Sequence, residues 1–201
     1  MRTGIYTRKT GETDISVTVE LDSNQQSGRE ANIQPIKINT GIGFFDHMLE
    51  LFAFRAGLRL TVECKGDLHI DGHHTVEDVG ICLGKAFSNA LGDKAGIARY
   101  GTGWIPMDEA LVQCVLDISG RGLCVFNAKL PAPIVGTFET ELTEEFFRAF
   151  AHNAGITLHI NLSYGSNTHH IIEAMFKAFG CAISQAVQET GTTIPSTKGV
   201  L

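Results

Sequence analysis

Asp71-Gly72-His73-His74-Thr75-Val76-Glu77-Asp78 is answered 96 residues later by Asn167-Thr168-His169-His170-Ile171-Ile172-Glu173-Ala174. Each segment carries two adjacent histidines with a glutamate four residues after the first. Self-similarity at a fixed offset marks an internal repeat, and the match extends upstream. Leu60 and Val62 fall opposite Leu158 and Ile160, and Met48 to Gly57 falls opposite Phe146 to Gly155. Earlier still, Glu12 followed by Ile15, Val17, Val19 and Leu21 is matched by Glu109 followed by Val112, Cys114, Leu116 and Ile118. The chain therefore reads as two copies of one unit, about 1–95 and 96–201.

The cues inside each copy alternate between strand and helix. Ile15, Val17, Val19 and Leu21 alternate with polar residues, the period of a half-buried strand. Asp22-Ser23-Asn24 and Ser27-Gly28 then mark a turn. Phe45, Met48, Leu49, Phe52 and Ala53 recur at helical spacing, and Gly57 is placed to stop that helix. Leu58, Leu60 and Val62 predict a strand, and a second helix runs from the double histidine to about Leu91. The expected architecture is α+β, two sheet-plus-helix halves related by a pseudo-twofold axis.

Composition bounds the function. The chain has 201 residues, 43% hydrophobic and 19% charged, with a net charge of −6. That balance reads as a soluble globular protein. It argues against nucleic acid as the main partner, which needs a basic footprint. No run approaches the ~20 apolar residues that span a bilayer, so no membrane partner is expected. Met1-Arg2-Thr3-Gly4-Ile5 lacks an apolar signal core. Cys64, Cys82, Cys114, Cys124 and Cys181 show no C-x-x-C pairing, which suggests reduced thiols in a cytoplasm.

The histidine segments carry the chemistry. On a helix, positions i and i+4 share a face, so His73 with Glu77, and His169 with Glu173, can converge on one cation. His74 and His170 point about 100° away and suit a second ion. Each ion would then take a His/Glu pair from one repeat and the adjacent histidine from the other. His47 and Glu145, at matched positions, would add one ligand apiece. A lone double histidine is more simply a helix cap or core residue; two, with identically placed glutamates, are read as metal ligands. Imidazole with carboxylate suits Mn(II), Fe(II) or Zn(II). A zinc hydrolase is less well matched, since its helical signature sets two histidines at i, i+4 around the glutamate.

Gly43-Phe44-Phe45-Asp46-His47-Met48-Leu49, the two double-histidine segments and Ser196-Thr197-Lys198-Gly199 resemble the imidazoleglycerol-phosphate dehydratase family. The resemblance runs from about Thr7 to Leu201. It implies a duplicated fold of the ribosomal protein S5 domain 2-like type, in a cytoplasmic enzyme of histidine biosynthesis. The substrate would be a phosphorylated imidazole, imidazole glycerol phosphate, dehydrated to imidazole acetol phosphate. Two Mn(II) ions per active site are implied, as is assembly of trimers into a 24-subunit shell. One ion would sit on His47, His74, His169 and Glu173, and the other on His73, Glu77, His170 and Glu145. Plant-like members have histidine where this chain has Glu145; in this chain His152 and His159 are the alternatives to Glu145, each more simply read as a structural histidine. The resemblance places Arg99, Arg121, Ser196 and Lys198 on the substrate phosphate.

The reaction has no carbonyl beside the departing hydroxyl. Ligation of the imidazole between two cations would lower its N–H pKa and let the ring push electrons toward the carbon losing hydroxide. A carboxylate would then take a proton from the next carbon, giving an enol that tautomerises. Glu12 is the first candidate for that work, with Glu77 and Glu173 as alternatives. Two competing readings remain at this point: a di-metal hydrolase of phosphorylated metabolites, and a metal-clamped shell or storage protein.

Overall fold

The structure is a computed structural model and describes residues 2–22 and 36–201. Of the turn expected after the second strand, Ser23, Asn24, Ser27 and Gly28 lie outside the described residues. The first half runs β1 (Thr3–Lys9), β2 (Thr13–Glu20), β3 (Lys37–Asn39), α1 (Gly43–Ala56), β4 (Arg59–Gly66) and α2 (His73–Leu91). The second runs β5 (Tyr100–Met107), β6 (Ala110–Asp117) and β7 (Leu123–Asn127). A short hairpin, β8 (Ile134–Val135) and β9 (Phe138–Glu139), then precedes α3 (Leu142–Ala154), β10 (Thr157–Tyr164) and α4 (Thr168–Ala186).

The two sheets have the same topology. One is ordered β1-β2-β4-β3 and the other β5-β6-β10-β7, each antiparallel except for its last pair. The alternation read in the sequence is the inward face of the central strands. Ile15, Val17 and Val19 of β2 are buried, as are Val112, Cys114 and Leu116 of β6. A one-residue slip would turn these faces outward, so burial fixes the register. Both shorter helices end on a left-handed glycine, Gly57 at φ 69° and Gly155 at φ 67°, as the repeat predicts. The fold is α+β with two sheet-plus-helix halves.

The halves interlock through their helices. α2 lies on β1 and β2, and α4 on β5 and β6; α2 then packs against α3, and α4 against α1. Each long helix is thus covered by the short helix of the other half. Phenylalanines fill the seam: Phe52 stacks on Phe179 at 4.9 Å, and Phe147 meets Phe176 at 4.9 Å. All four are fully buried, each contributing about 1.5–3 kcal/mol by leaving water.

The outer strands lie hard against their helices. A Cβ added at Gly4 would stand 1.9 Å from the Ala86 carbonyl oxygen, and one at Gly101 would stand 1.9 Å from that of Ala182. Only glycine permits this approach. The five cysteines are free thiols. Burial pushes the Cys64 and Cys82 thiols up to about 12, which keeps them protonated. Among the described residues, no helix is long and apolar enough to cross a membrane.

Candidate active site

Both double histidines open a long helix, and each start is capped locally. The Asp71 carboxylate accepts the His73 N–H at 2.8 Å. The Asn167 side chain accepts the N–H groups of His169 and His170 at 2.9 and 3.3 Å, satisfying donors that a helix start leaves unpaired. Helical spacing then sets His73 Nε2 3.9 Å from Glu77 Oε2, and His169 Nε2 3.2 Å from Glu173 Oε2. The neighbouring ring planes are nearly perpendicular, at 88° with centroids 6.4 Å apart for His73 and His74 and 79° with centroids 6.2 Å apart for His169 and His170.

The second histidine of each pair is held by a carboxylate from elsewhere. His74 Nδ1 lies 3.0 Å from Asp67 Oδ2, and its Nε2 lies 3.6 Å from Glu12 Oε1. His170 Nδ1 lies 2.8 Å from Glu109 Oε2, and its Nε2 lies 3.6 Å from Asp108 Oδ2. Both rings are raised above the ordinary imidazole pKa, His74 by its hydrogen bond to Asp67 and His170 by that to Glu109. The same bond from His170, with the N–H groups of Asn167 and Ser166, holds Glu109 well below the usual carboxylate range.

The glutamates differ in freedom. Burial alone would raise the pKa of Glu173, but an ion pair with Lys177 and the bond to His169 outweigh it and keep the carboxyl below its ordinary value. Glu12 is half exposed in the β1–β2 turn. That turn is pinned to α2 by the nearly buried Asp78, which pairs with Arg8 and accepts the Thr13 hydroxyl.

The other expected ligands lie on the short helices. His47 is half exposed, 4.0 Å from Glu50; Phe44, in the same first turn, meets the His169 ring edge-on at 5.1 Å. Glu145, 3.6 Å from Arg148, lines a cleft of about 760 Å³ that also contains His73. His152 lines a smaller cleft with Glu77, and His159 is exposed on β10. Among the described residues, no group of three or more His, Cys, Asp or Glu side chains gathers within one chain to hold a metal ion. The donor chemistry itself, imidazole with carboxylate on accessible helix starts, fits a divalent first-row ion.

Arg99, Arg121, Ser196 and Lys198, distant in sequence, line one cleft of about 270 Å³ with Ser119 and Thr197. Arg99 is fixed at left-handed φ 75°. Its guanidinium donates to both oxygens of Asp117, at 2.7 and 3.1 Å, and to the Pro195 carbonyl at 2.9 Å. Arg121 and Lys198 are exposed, and with Arg99 they bring three cationic side chains to the cleft, which suits an anion.

Residues not singled out from sequence also belong here: Asp67, Asp78, Glu109 and Lys177. Glu109 carried a signal, since the repeat sets it opposite Glu12. The others have no counterpart that would mark them.

The family model for imidazoleglycerol-phosphate dehydratase matches residues 40–183. The imidazoleglycerol-phosphate dehydratase of Acetivibrio thermocellus is 56% identical over 96% of this chain and 96% of its own. That of Desulforamulus reducens is 56% identical over 98% and 96%. The crystal structure of the Staphylococcus aureus enzyme superposes with a TM-score of 0.80 at 47% identity, covering 92% of this chain and 99% of that one. The Pyrococcus furiosus structure, in complex with (S)-C348, gives 0.81 at 35% identity, covering 97% and 99%.

Proposed function

Since this chain belongs to the imidazoleglycerol-phosphate dehydratase family, and so is a hydro-lyase, we propose that it removes water from D-erythro-imidazole glycerol phosphate. The product would be imidazole acetol phosphate, in L-histidine biosynthesis. The observation that carries this reading is the His/Glu pair repeated at the start of α2 and of α4, at 3.9 and 3.2 Å. The chain acts as one cytoplasmic dehydratase domain made of two repeats.

Two Mn(II) ions per active site fit the donors present. His47, His74, His169 and Glu173 would hold one, and His73, Glu77, Glu145 and His170 the other. The family resemblance further suggests self-assembly, into trimers and a 24-subunit shell. Bound ions would supply positive charge that lowers an imidazole N–H pKa and stabilises charge developing on the ring.

The chain's own side chains do the rest. The Arg99 cleft takes the substrate phosphate: Arg99 is a fixed charge, already oriented by Asp117, while Arg121, Lys198 and the Ser196 hydroxyl are available to reach the oxygens. Glu12 is the acid–base group. Its carboxylate is accessible and lies beside His74, and it would take the proton from the carbon next to the one losing hydroxide. Glu173 is occupied by Lys177 and His169, so its part is that of a ligand. Glu77, half exposed and more loosely paired, is the second candidate for moving a proton.

The test is an assay of purified protein with imidazole glycerol phosphate and Mn(II). Formation of a ketone that keeps its phosphate is expected. Release of inorganic phosphate without ketone would instead make the protein a hydrolase, and metal-driven assembly with no substrate turnover would make it a shell or storage protein.

A further inference from the structure

Each repeat sets a glutamate beside the second strand, Glu12 ahead of β2 and Glu109 ahead of β6, against the second histidine of the following helix. The two glutamates are engaged quite differently. Glu12 faces His74 Nε2 at 3.6 Å, while His74 Nδ1 is held by Asp67 at 3.0 Å. In the second repeat the stretch corresponding to Asp67, Ser163-Tyr164-Gly165, carries no carboxylate. There Glu109 takes the Nδ1 side of His170 itself, at 2.8 Å.

We propose that Glu109 is a positioning residue that fixes the His170 proton on Nδ1 and so presents Nε2 as the ligating nitrogen. A carboxylate only accepts hydrogen bonds, so the ring nitrogen facing Glu109 Oε2 carries the hydrogen. Such a carboxylate behind a ligating histidine fixes its tautomer and strengthens it as a ligand. The other oxygen, Oε1, accepts the N–H of Ser166 at 3.0 Å and of Asn167 at 2.7 Å, with the Ser166 hydroxyl at 3.3 Å. Asn167 in turn caps His169 and His170. A single side chain thereby holds the loop entering α4 and the ring orientation together. In the first repeat Asp71 and Asp67 divide these tasks, which leaves Glu12 free. The sequence equivalents have separate duties, one reactive and one orienting.

The inference rests on the metal reading above for what Nε2 binds, and the experiment separates the two. In Glu109→Gln the amide oxygen goes to the three converging donors, so its NH₂ faces His170 Nδ1 and drives the ring hydrogen onto Nε2. Nitrogen NMR of histidine-labelled, metal-free protein, at a pH above the imidazole range, reads that tautomer directly. The wild type is expected to show the Nδ1–H form and Glu109→Gln the Nε2–H form, with the same fold by circular dichroism. In a Mn(II) titration, Glu109→Gln should lose roughly 10–100-fold in affinity at one of two sites and nothing at the other. A retained Nδ1–H tautomer, or two ions bound as in the wild type, overturns the proposal. If the wild type takes up no Mn(II), the metal reading fails, and the tautomer comparison still decides whether Glu109 sets the His170 hydrogen.

Discussion

Replacing Asp78 by alanine removes the carboxylate that ties the β1–β2 turn to α2. Asp78 is 7% exposed and its partner Arg8 32% exposed, while Thr13 is 3% exposed. Alanine removes the Asp78 acceptor and leaves the nearly dry Thr13 hydroxyl only the long contact to Thr10 Oγ1 at 3.4 Å, costing about 1–3 kcal/mol. Arg8 can turn to water, so its share is at most about 1 kcal/mol. The expected loss is about 1–4 kcal/mol, which for a chain of this length lowers the melting temperature by about 2–16 °C. Arg8→Ala should cost a comparable amount, because it leaves a buried carboxylate with only a hydroxyl for company. The double variant should then lose about 1–3 kcal/mol less than the sum of the singles. Thermal unfolding at matched protein and metal concentrations measures all three, since bound ions shift the transition. Turnover should fall as well, with Mn(II) uptake unchanged, because the freed turn carries Glu12. Singles that add within about 0.5 kcal/mol, or an Asp78→Ala variant as stable as the wild type, would refute the reasoning.

Glu12→Gln should keep both ions and lose roughly 10²–10⁴ in kcat; steady-state kinetics with unchanged kcat would remove Glu12 from the chemistry. Lys198→Ala should raise KM by about tenfold or more, from a lost charge-assisted bond of about 1.5–3 kcal/mol, and should blunt inhibition by inorganic phosphate. A variant with wild-type KM and phosphate inhibition takes the cleft out of substrate binding. Gly101→Ala forces β5 off α4, because its Cβ would stand 1.9 Å from the Ala182 oxygen. A loss of about 1–3 kcal/mol is expected in denaturant melts, and none would show that the close approach is not needed.

The halves of this fold were readable because their central strands and helix ends obey strong local rules. β2 and β6 alternate apolar and polar residues, and Gly57 and Gly155 stop matched helices, so periodicity and caps located them. The outer strands β1 and β5 were silent for a physical reason. Their inward positions include Gly4, Gly101 and Gly103, small so that a helix can lie close, and this erases the apolar alternation that marks a strand.

In the candidate site, the helix-start pairs were legible because i and i+4 fix a contact locally. Contacts across long sequence separations were not. The Glu109 bond to His170 spans 61 residues and the Arg8 pair with Asp78 spans 70, distances that only the tertiary fold closes. The repeat pattern specifies which donors exist but carries no information on whether one copy or several bring them together.

Metal stoichiometry tests the heart of this account. Equilibrium dialysis of the metal-stripped protein against Mn(II), with elemental analysis, should return two ions per chain for the wild type. Changing His73 and Glu77 together to alanine, or His169 and Glu173 together, should each abolish one high-affinity site and leave the fold intact by circular dichroism. Two ions retained in both variants would contradict the assignment of the repeated His/Glu pairs as the metal-binding elements.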